Sequence, residues 1–307
     1  MEEEPMGGQF LLPLLVPFVR CYWVAACLFY CLKFWSPKVD ALTSYGKLAK
    51  TAGTAATRSS ASARLFALLR APVVTHKLGW TSFYVFGFLW NLLCHWAFFY
   101  RLSWDEPNFR YRWLIGALFG LHLIKRIFEC LFVHAFSHRY MTLLNFVAGL
   151  SYYFMVPLSF VESYDYHHPE SLPSAAFLVA IFLFCFGSVL QLHSHRILAS
   201  LRHNSTKKMT KNRTTASTTQ DANYNIPHGG MFRWVSCPHY LGEIILYAAL
   251  MCLTLLSAPP INYSFLFVLA FVALNLIHSA IRTHAWYLSK FEDYVLLQRS
   301  ALVPFLL

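Results

Sequence analysis

The chain has 307 residues, of which 57% are hydrophobic, 18% aromatic and only 13% charged, with a formal net charge of +11 and a mean hydropathy of +0.45. Charged residues are about half as frequent as in soluble domains, which excludes a disordered chain, a secreted disulfide scaffold and an ordinary cytosolic enzyme, and makes lipid the main solvent. The positive charges lie between apolar stretches, so they read as topology signals and partners for phosphate groups or headgroups, not as a nucleic-acid surface.

A bilayer core takes roughly 20 apolar residues of helix. Stretches 11–32, 81–100, 113–133, 141–161, 173–191, 240–257 and 262–281 meet that requirement, which predicts an all-α, polytopic membrane protein of about seven transmembrane helices. The first stretch starts acidic, at Glu2, Glu3 and Glu4, and is too long for a signal peptide, so it is expected to stay as a span. Segment 36–77 carries seven Lys or Arg against Asp40, with a flexible linker at 43–64 and a short amphipathic stretch from Arg64 to Arg70. The second span is crowded with aromatics, including Phe83, Tyr84, Phe88, Trp90 and Trp96, which suit either a groove for a long isoprenoid or simple contact with lipid. Loop 101–112 is mixed in charge, and 162–171 and 258–261 hold no Lys or Arg. Segment 192–239 is strongly basic, and its polar tract 204–223 reads as disordered, with sequons at Asn204 and Asn212 on the wrong side for use. The positive-inside rule then puts the N-terminus in the lumen and the C-terminus in the cytosol.

The chemistry sits in ionisable residues within spans. His122, Lys125, Arg126 and Glu129 share one helical face. Each charge at the bilayer centre costs about 3 kcal/mol on insertion scales, so this face must meet protein, water or a ligand. A purely structural cluster, with Glu129 neutralising its basic neighbours, is one reading and a ligand-lining face the other. The sixth span opens with His239, Tyr240, Glu243 and Tyr247 on one face, and the seventh ends with Asn275, His278, Ser279 and Arg282, then His284 and Tyr287. The three stripes are expected to converge on one cavity. His134 with His138, and His193 with His195, are too sparse for a histidine-rich iron site, and no CxxC pair suggests zinc, so no metal is expected. No GxGxxG loop or P-loop is present, so any nucleotide would be held by helix ends, loops and arginine side chains.

The run Ile226-Pro227-His228-Gly229-Gly230-Met231-Phe232, then Val235-Ser236-Cys237-Pro238-His239-Tyr240-Leu241-Gly242-Glu243, resembles the C-terminal domain of steroid 5α-reductases. So does the ending Trp286-Tyr287-Leu288-Ser289-Lys290-Phe291-Glu292-Asp293-Tyr294 with Arg299-Ser300-Ala301-Leu302-Val303-Pro304-Phe305-Leu306. Leu121 to Leu131 is similar to the polyprenol reductase branch of that family. The resemblance divides the chain into a five-span region, 1–189, and a family-like C-terminal domain, 190–307. It implies a multi-pass enzyme of the endoplasmic reticulum membrane that uses NADPH to saturate a double bond. By position, Arg126, Arg202, His239, Glu243 and Tyr287 match cofactor-contacting residues. His239 stands where the family has asparagine, and the tyrosine that holds a steroid carbonyl falls at Leu123, which counts against a steroid, whereas Phe291 to Tyr294 is closer to the steroid branch.

Hydride adds readily to an alkene only when a conjugated carbonyl takes up the developing charge, which an allylic alcohol cannot do. The expected substrate is therefore the α-unsaturated polyprenal, a long-chain isoprenoid lipid on the route to dolichol. An acid beside the carbonyl oxygen would stabilise the enolate-like transition state, with His284 and Tyr287 as first candidates and His122 and Glu129 next. A steroid or enoyl-thioester reductase, a membrane methyltransferase of the isoprenylcysteine type, and a transporter or lipid-binding scaffold are the alternatives.

Overall fold

The computed structural model describes residues 12–37, 39–40, 64, 67–99, 109–136, 139–164, 174–211, 224–257 and 261–306. The linker at 43–64 apart from Arg64, residues 101–108 of the mixed loop, His138 and Asn212 lie outside the described residues. Helices occupy all seven expected positions: α1 (Leu12–Trp35), α2 (His76–Phe99), α3 (Phe109–Phe128), α4 (Leu143–Ser159), α5 (Ser174–Lys211), α6 (Pro238–Ser257) and α7 (Tyr263–Lys290). Four of them, over Pro13–Trp35, Ala175–His203, Pro238–Leu256 and Tyr263–Lys290, are long and apolar enough to cross a membrane, and α4 is apolar but shorter. The length of α2 and α3 also suffices, but α2 carries Asn91 and His95 and α3 ends in Lys125 and Arg126, which lowers their hydropathy.

Two features depart from the sequence expectation. A pair of short antiparallel strands, β1 (Pro72–Thr75) and β2 (Tyr140–Thr142), clips the chain before α2 to the chain before α4, with Pro72 opposite Thr142 and Thr75 opposite Tyr140. Val73, Val74, Thr75 and Tyr140 are strand formers, a signal too short to stand out beside the spans. The second is the length of α5. Its backbone runs unbroken for 38 residues, about 57 Å at 1.5 Å per residue. The first part of the tract expected to be disordered, through Lys211, is therefore helical. A helix already nucleated in the membrane extends at little cost through a segment lacking Gly and Pro.

Packing positions the site. α5 and α6 cross at Gly187 and Gly242, and the pair brings Gln191 and Glu243 side by side. Trp23, Phe119, Leu123, Tyr247 and Phe265 form the fully buried centre between α1, α3, α6 and α7. At one end, Glu162 ties three segments together. It accepts from Arg20 Nη2 at 2.5 Å, from the Tyr263 and Ser264 amides at 3.0 Å each, and from Ser264 Oγ at 2.5 Å. Burial pushes the Glu162 carboxyl up, but these donors outweigh it and hold it below its ordinary value. At the C-terminal end of α3 the helix continues as a π-helical turn, Glu129–Val133, whose first residue, Glu129, is fully buried. Such turns are frequent at functional sites.

Candidate active site

The α3 stripe meets α2, α5 and α6 in one buried polar network. Arg126 is its hub. Its Nη1 donates to Glu129 Oε2 and stands 3.0 Å from His195 Nδ1, while its Nε and Nη2 donate to Tyr84 Oη at 3.1 and 2.8 Å. His195 Nδ1 is also 2.9 Å from Glu129 Oε2. On the other side of the stripe, Lys125 donates to Gln191 Oε1, and Gln191 Nε2 donates to Glu243 Oε2. Glu243 Oε1 in turn lies 3.3 Å from His122 Nε2. The His122 ring, edge-on to Tyr247 at 6.2 Å, has no aligned hydrogen bond among the described residues. An uncompensated carboxylate at the depth of Glu129 would cost several kcal/mol, so Arg126 and Lys125 are what make it tolerable.

A second cluster forms where α7 ends. Ser236 Oγ lies 2.7 Å from His284 Nδ1 and 2.6 Å from Tyr294 Oη. The Tyr287 and Tyr294 rings stack at 5.0 Å. Arg299 holds the loop below by donating from Nη1 to the Pro227 carbonyl at 2.8 Å, and its guanidinium lies 5.5 Å from the Tyr294 ring centre. Backbone bonds from Ser236 to the Ser300 carbonyl and from Ser300 to the Trp234 carbonyl join the tail to the loop before α6. Burial raises the Tyr294 phenol above its ordinary 10, against hydrogen bonding to Ser236. An open groove of about 500 Å³ runs beside His284, Gln298 and Ser300.

The candidate residues therefore fall into two groups. His122, Arg126, Glu129 and Glu243 share the buried network, while His284 and Tyr287 share the tail cluster. His239 and Arg202 stand between. The His239 ring is 5.6 Å from that of His195. Arg202 donates to the Ala135 carbonyl and is within electrostatic range of both His134 and Tyr287. The stripe on α7 does not join the others as expected. His278 Nε2 is 3.6 Å, and Arg282 Nη1 2.8 Å, from the carboxylate of Asp40, because the chain after α1 folds back onto α7.

Tyr84, Gln191, His195, Ser236, Tyr294 and Arg299 were not singled out as site residues from sequence. Ser236, Tyr294 and Arg299 lie inside the motif runs and His195 inside the HxH pair, but a lone Gln191 or Tyr84 in an apolar helix carries no signal. Glu129, His134 and His195 offer ligand atoms within 4.8 Å of one another. Arg126 already supplies the cation to Glu129 and contacts His195 as well, so this triad is neutralised by a side chain.

The fold and these clusters define an α-helical membrane protein built around buried ionisable groups. The family model described as 3-oxo-5-alpha-steroid 4-dehydrogenase matches residues 139–307, more than half of the sequence, and the chain belongs to that family. Among curated proteins, the chain is similar to polyprenal reductase of Danio rerio, 32% identical over 214 residues that cover 67% of this chain and 64% of that protein. It is similar to polyprenal reductase 1 of Arabidopsis thaliana, 28% identical over 258 residues, covering 69% and 75%. It is also similar to polyprenal reductase of Saccharomyces cerevisiae, 30% identical over 202 residues, covering 66% of each. The chain thus spans just under two thirds of the length of the Danio rerio relative.

Proposed function

We propose that this protein is an NADPH-dependent reductase that saturates the α-isoprene double bond of a polyprenal, leading to the dolichol series used in protein N-glycosylation. Its similarity to polyprenal reductases of a fish, a plant and a yeast carries this reading. It includes seven spans in the endoplasmic reticulum membrane, the N-terminus lumenal and the C-terminus cytosolic, with a five-span region to residue 189 and a C-terminal catalytic domain from 190.

The residues around the loop before α6 fit a dinucleotide. Gly229 and Gly230 both have positive φ, 92° and 50°, and a Cβ on Gly230 would come within 2.7 Å of His193 Nε2. The glycines thus lay the loop against α5. Arg196, Arg202, His228 and Arg233 are exposed on α5 and the loop and would hold phosphates, with His239 and Tyr287 beside them. Arg126 fits a phosphate poorly, because Glu129, Tyr84 and His195 already surround its guanidinium. Its role in this reading is to position Glu129 and Tyr84. NADPH supplies the hydride for the β carbon when bound.

Ser236 Oγ holds the His284 ring at Nδ1 and is itself held by the Tyr294 hydroxyl. That leaves Nε2 as the nitrogen able to carry a proton toward the carbonyl oxygen, with the Tyr287 hydroxyl as the second donor. His122, held 3.3 Å from Glu243, and Glu129 are the next candidates for that donor. Removing such a group typically costs about 10²–10³ in rate. The test is product analysis with the purified full-length protein, offering NADPH with a polyprenal or with a 3-oxo-Δ4 steroid, and S-adenosylmethionine with an isoprenylcysteine. Saturated polyprenal as the main product is expected. Reduction of the steroid alone, methyl transfer, or failure to oxidise NADPH with either substrate would overturn the reading.

A further inference from the structure

The chain beyond α7 closes in a turn that presents apolar side chains outward. Phe305 and Leu306 are 84% and 85% exposed, and the half-exposed Trp234 ring meets the Phe305 ring at 5.7 Å. The turn is held in this shape. The Phe305 amide donates to Ser300 Oγ at 3.0 Å, and the Leu306 amide to the Val303 carbonyl at 3.2 Å. Ser300 is itself tied through its backbone to Ser236 and Trp234. Phe305 has a φ of 65°, a left-handed conformation that is an outlier for so bulky a residue. Apolar side chains this exposed, on a backbone held against its own preference, mark a contact surface.

The depth of the turn identifies what it meets. α7 runs for 28 residues, about 42 Å, against a hydrocarbon core of about 30 Å. Its first turn is held by Glu162, which accepts from the Tyr263 and Ser264 amides and pairs with Arg20. A charged clamp of this kind belongs at a bilayer boundary, not at its centre. Roughly 20 residues of helix then reach the opposite boundary, which falls near Arg282, the partner of Asp40. Ile281, exposed on α7, lines one groove with Phe305 and Leu306, so the turn lies level with that second boundary. Beyond it α7 continues as far as Lys290, through the headgroup layer.

We propose that Trp234, Phe305 and Leu306 form a membrane-interface anchor, which seats this turn among the headgroups and upper acyl carbons of the phospholipid leaflet where α7 emerges. Three features select lipid over a second copy of the chain. The turn lies at the level of the boundary, it is continuous with Ile281 on the outer face of α7, and it includes a tryptophan, a residue enriched at membrane–water interfaces. An anchor here holds one wall of the groove beside His284 at the leaflet surface. The inference does not rest on the reductase reading, and its test reads contact with lipid instead of turnover.

The full chain is placed in phosphatidylcholine nanodiscs with p-benzoylphenylalanine in place of Phe305, of Leu306 or of Lys290, the last about 14 Å beyond Ile281 along α7. Irradiation joins the probe to whatever C–H group lies beside it, and mass spectrometry identifies the adduct. Positions 305 and 306 are expected to give lipid adducts at least about tenfold above position 290, the occupancy that follows from seating one Phe or Leu side chain in hydrocarbon. Both side chains are so exposed that the probe displaces nothing from the core, and the second position keeps the test readable if one variant misfolds. Lipid adducts no more frequent at 305 and 306 than at 290, or cross-links chiefly to a second copy of the chain, overturn the proposal.

Discussion

Gly187 and Gly242 face each other across the crossing of α5 and α6 so closely that a Cβ on either would come within 2.6 or 2.7 Å of the other's carbonyl oxygen. Contact at backbone distance is what lets Gln191, one turn further along α5, reach Glu243 on the next residue of α6. Neither glycine has a left-handed φ, so the requirement is for space alone.

Substituting Gly242→Ala should therefore force the helices apart. Overpacking of this kind costs about 1–3 kcal/mol. The expected result is a lower thermal midpoint of the full-length protein in detergent together with loss of the proposed reductase turnover, because Glu243 is displaced. A variant with wild-type midpoint and turnover would show that the crossing tolerates a side chain.

Arg126 and Glu129 provide a test of the buried network. Arg126→Ala leaves Glu129 without its closest cation, a change expected to cost about 3–5 kcal/mol. Arg126→Ala combined with Glu129→Gln should be less harmful to folding than Arg126→Ala alone. Chemical denaturation of the four members of this cycle measures the coupling. Additive losses would mean that the two side chains are held independently.

Glu162 predicts a pH dependence. Its carboxyl sits below the ordinary 4.5 because Arg20, Ser264 and two amides donate to it. A depressed carboxylate contributes stability that is fully present above its unfolded value and is lost as pH falls through the folded one. The thermal midpoint of the wild type should exceed that of Glu162→Gln by a constant margin from pH 7 down to 4.5, and the two should converge only at lower pH. Convergence above pH 5 would mean that the donors do not hold the charged form.

Arg202 is exposed on α5, and Arg202→Ala is expected to leave the thermal midpoint of the protein within a few degrees of wild type. If the side chain meets a cofactor phosphate, the variant should raise KM for NADPH about 10–100-fold, as expected for one charge-assisted contact. Tyr287→Phe should instead lower kcat with little change in that KM. Comparing the two variants with polyprenal at saturation separates binding from proton donation.

The seven helix positions were legible because apolar runs of bilayer length leave few alternatives. The face shared by His122, Arg126 and Glu129 was legible from helical spacing, although the π-helical turn that begins at Glu129 was not. What periodicity cannot supply is the partner of a face. The α7 stripe looked like a third wall of the site, yet His278 and Arg282 pair with Asp40, a residue nearly 240 positions earlier whose approach depends on how the chain after α1 folds back. Gln191 was invisible for the opposite reason, a single amide in an apolar run whose value depends on a crossing set by two glycines.

The unbroken course of α5 makes it a strut. Gln191 and Arg202 are eleven residues apart on one continuous helix, a separation of about 17 Å at 1.5 Å per residue. With no break in the helix between them, the rise and rotation from the amide at the helix crossing to the guanidinium are set by helical repeat alone.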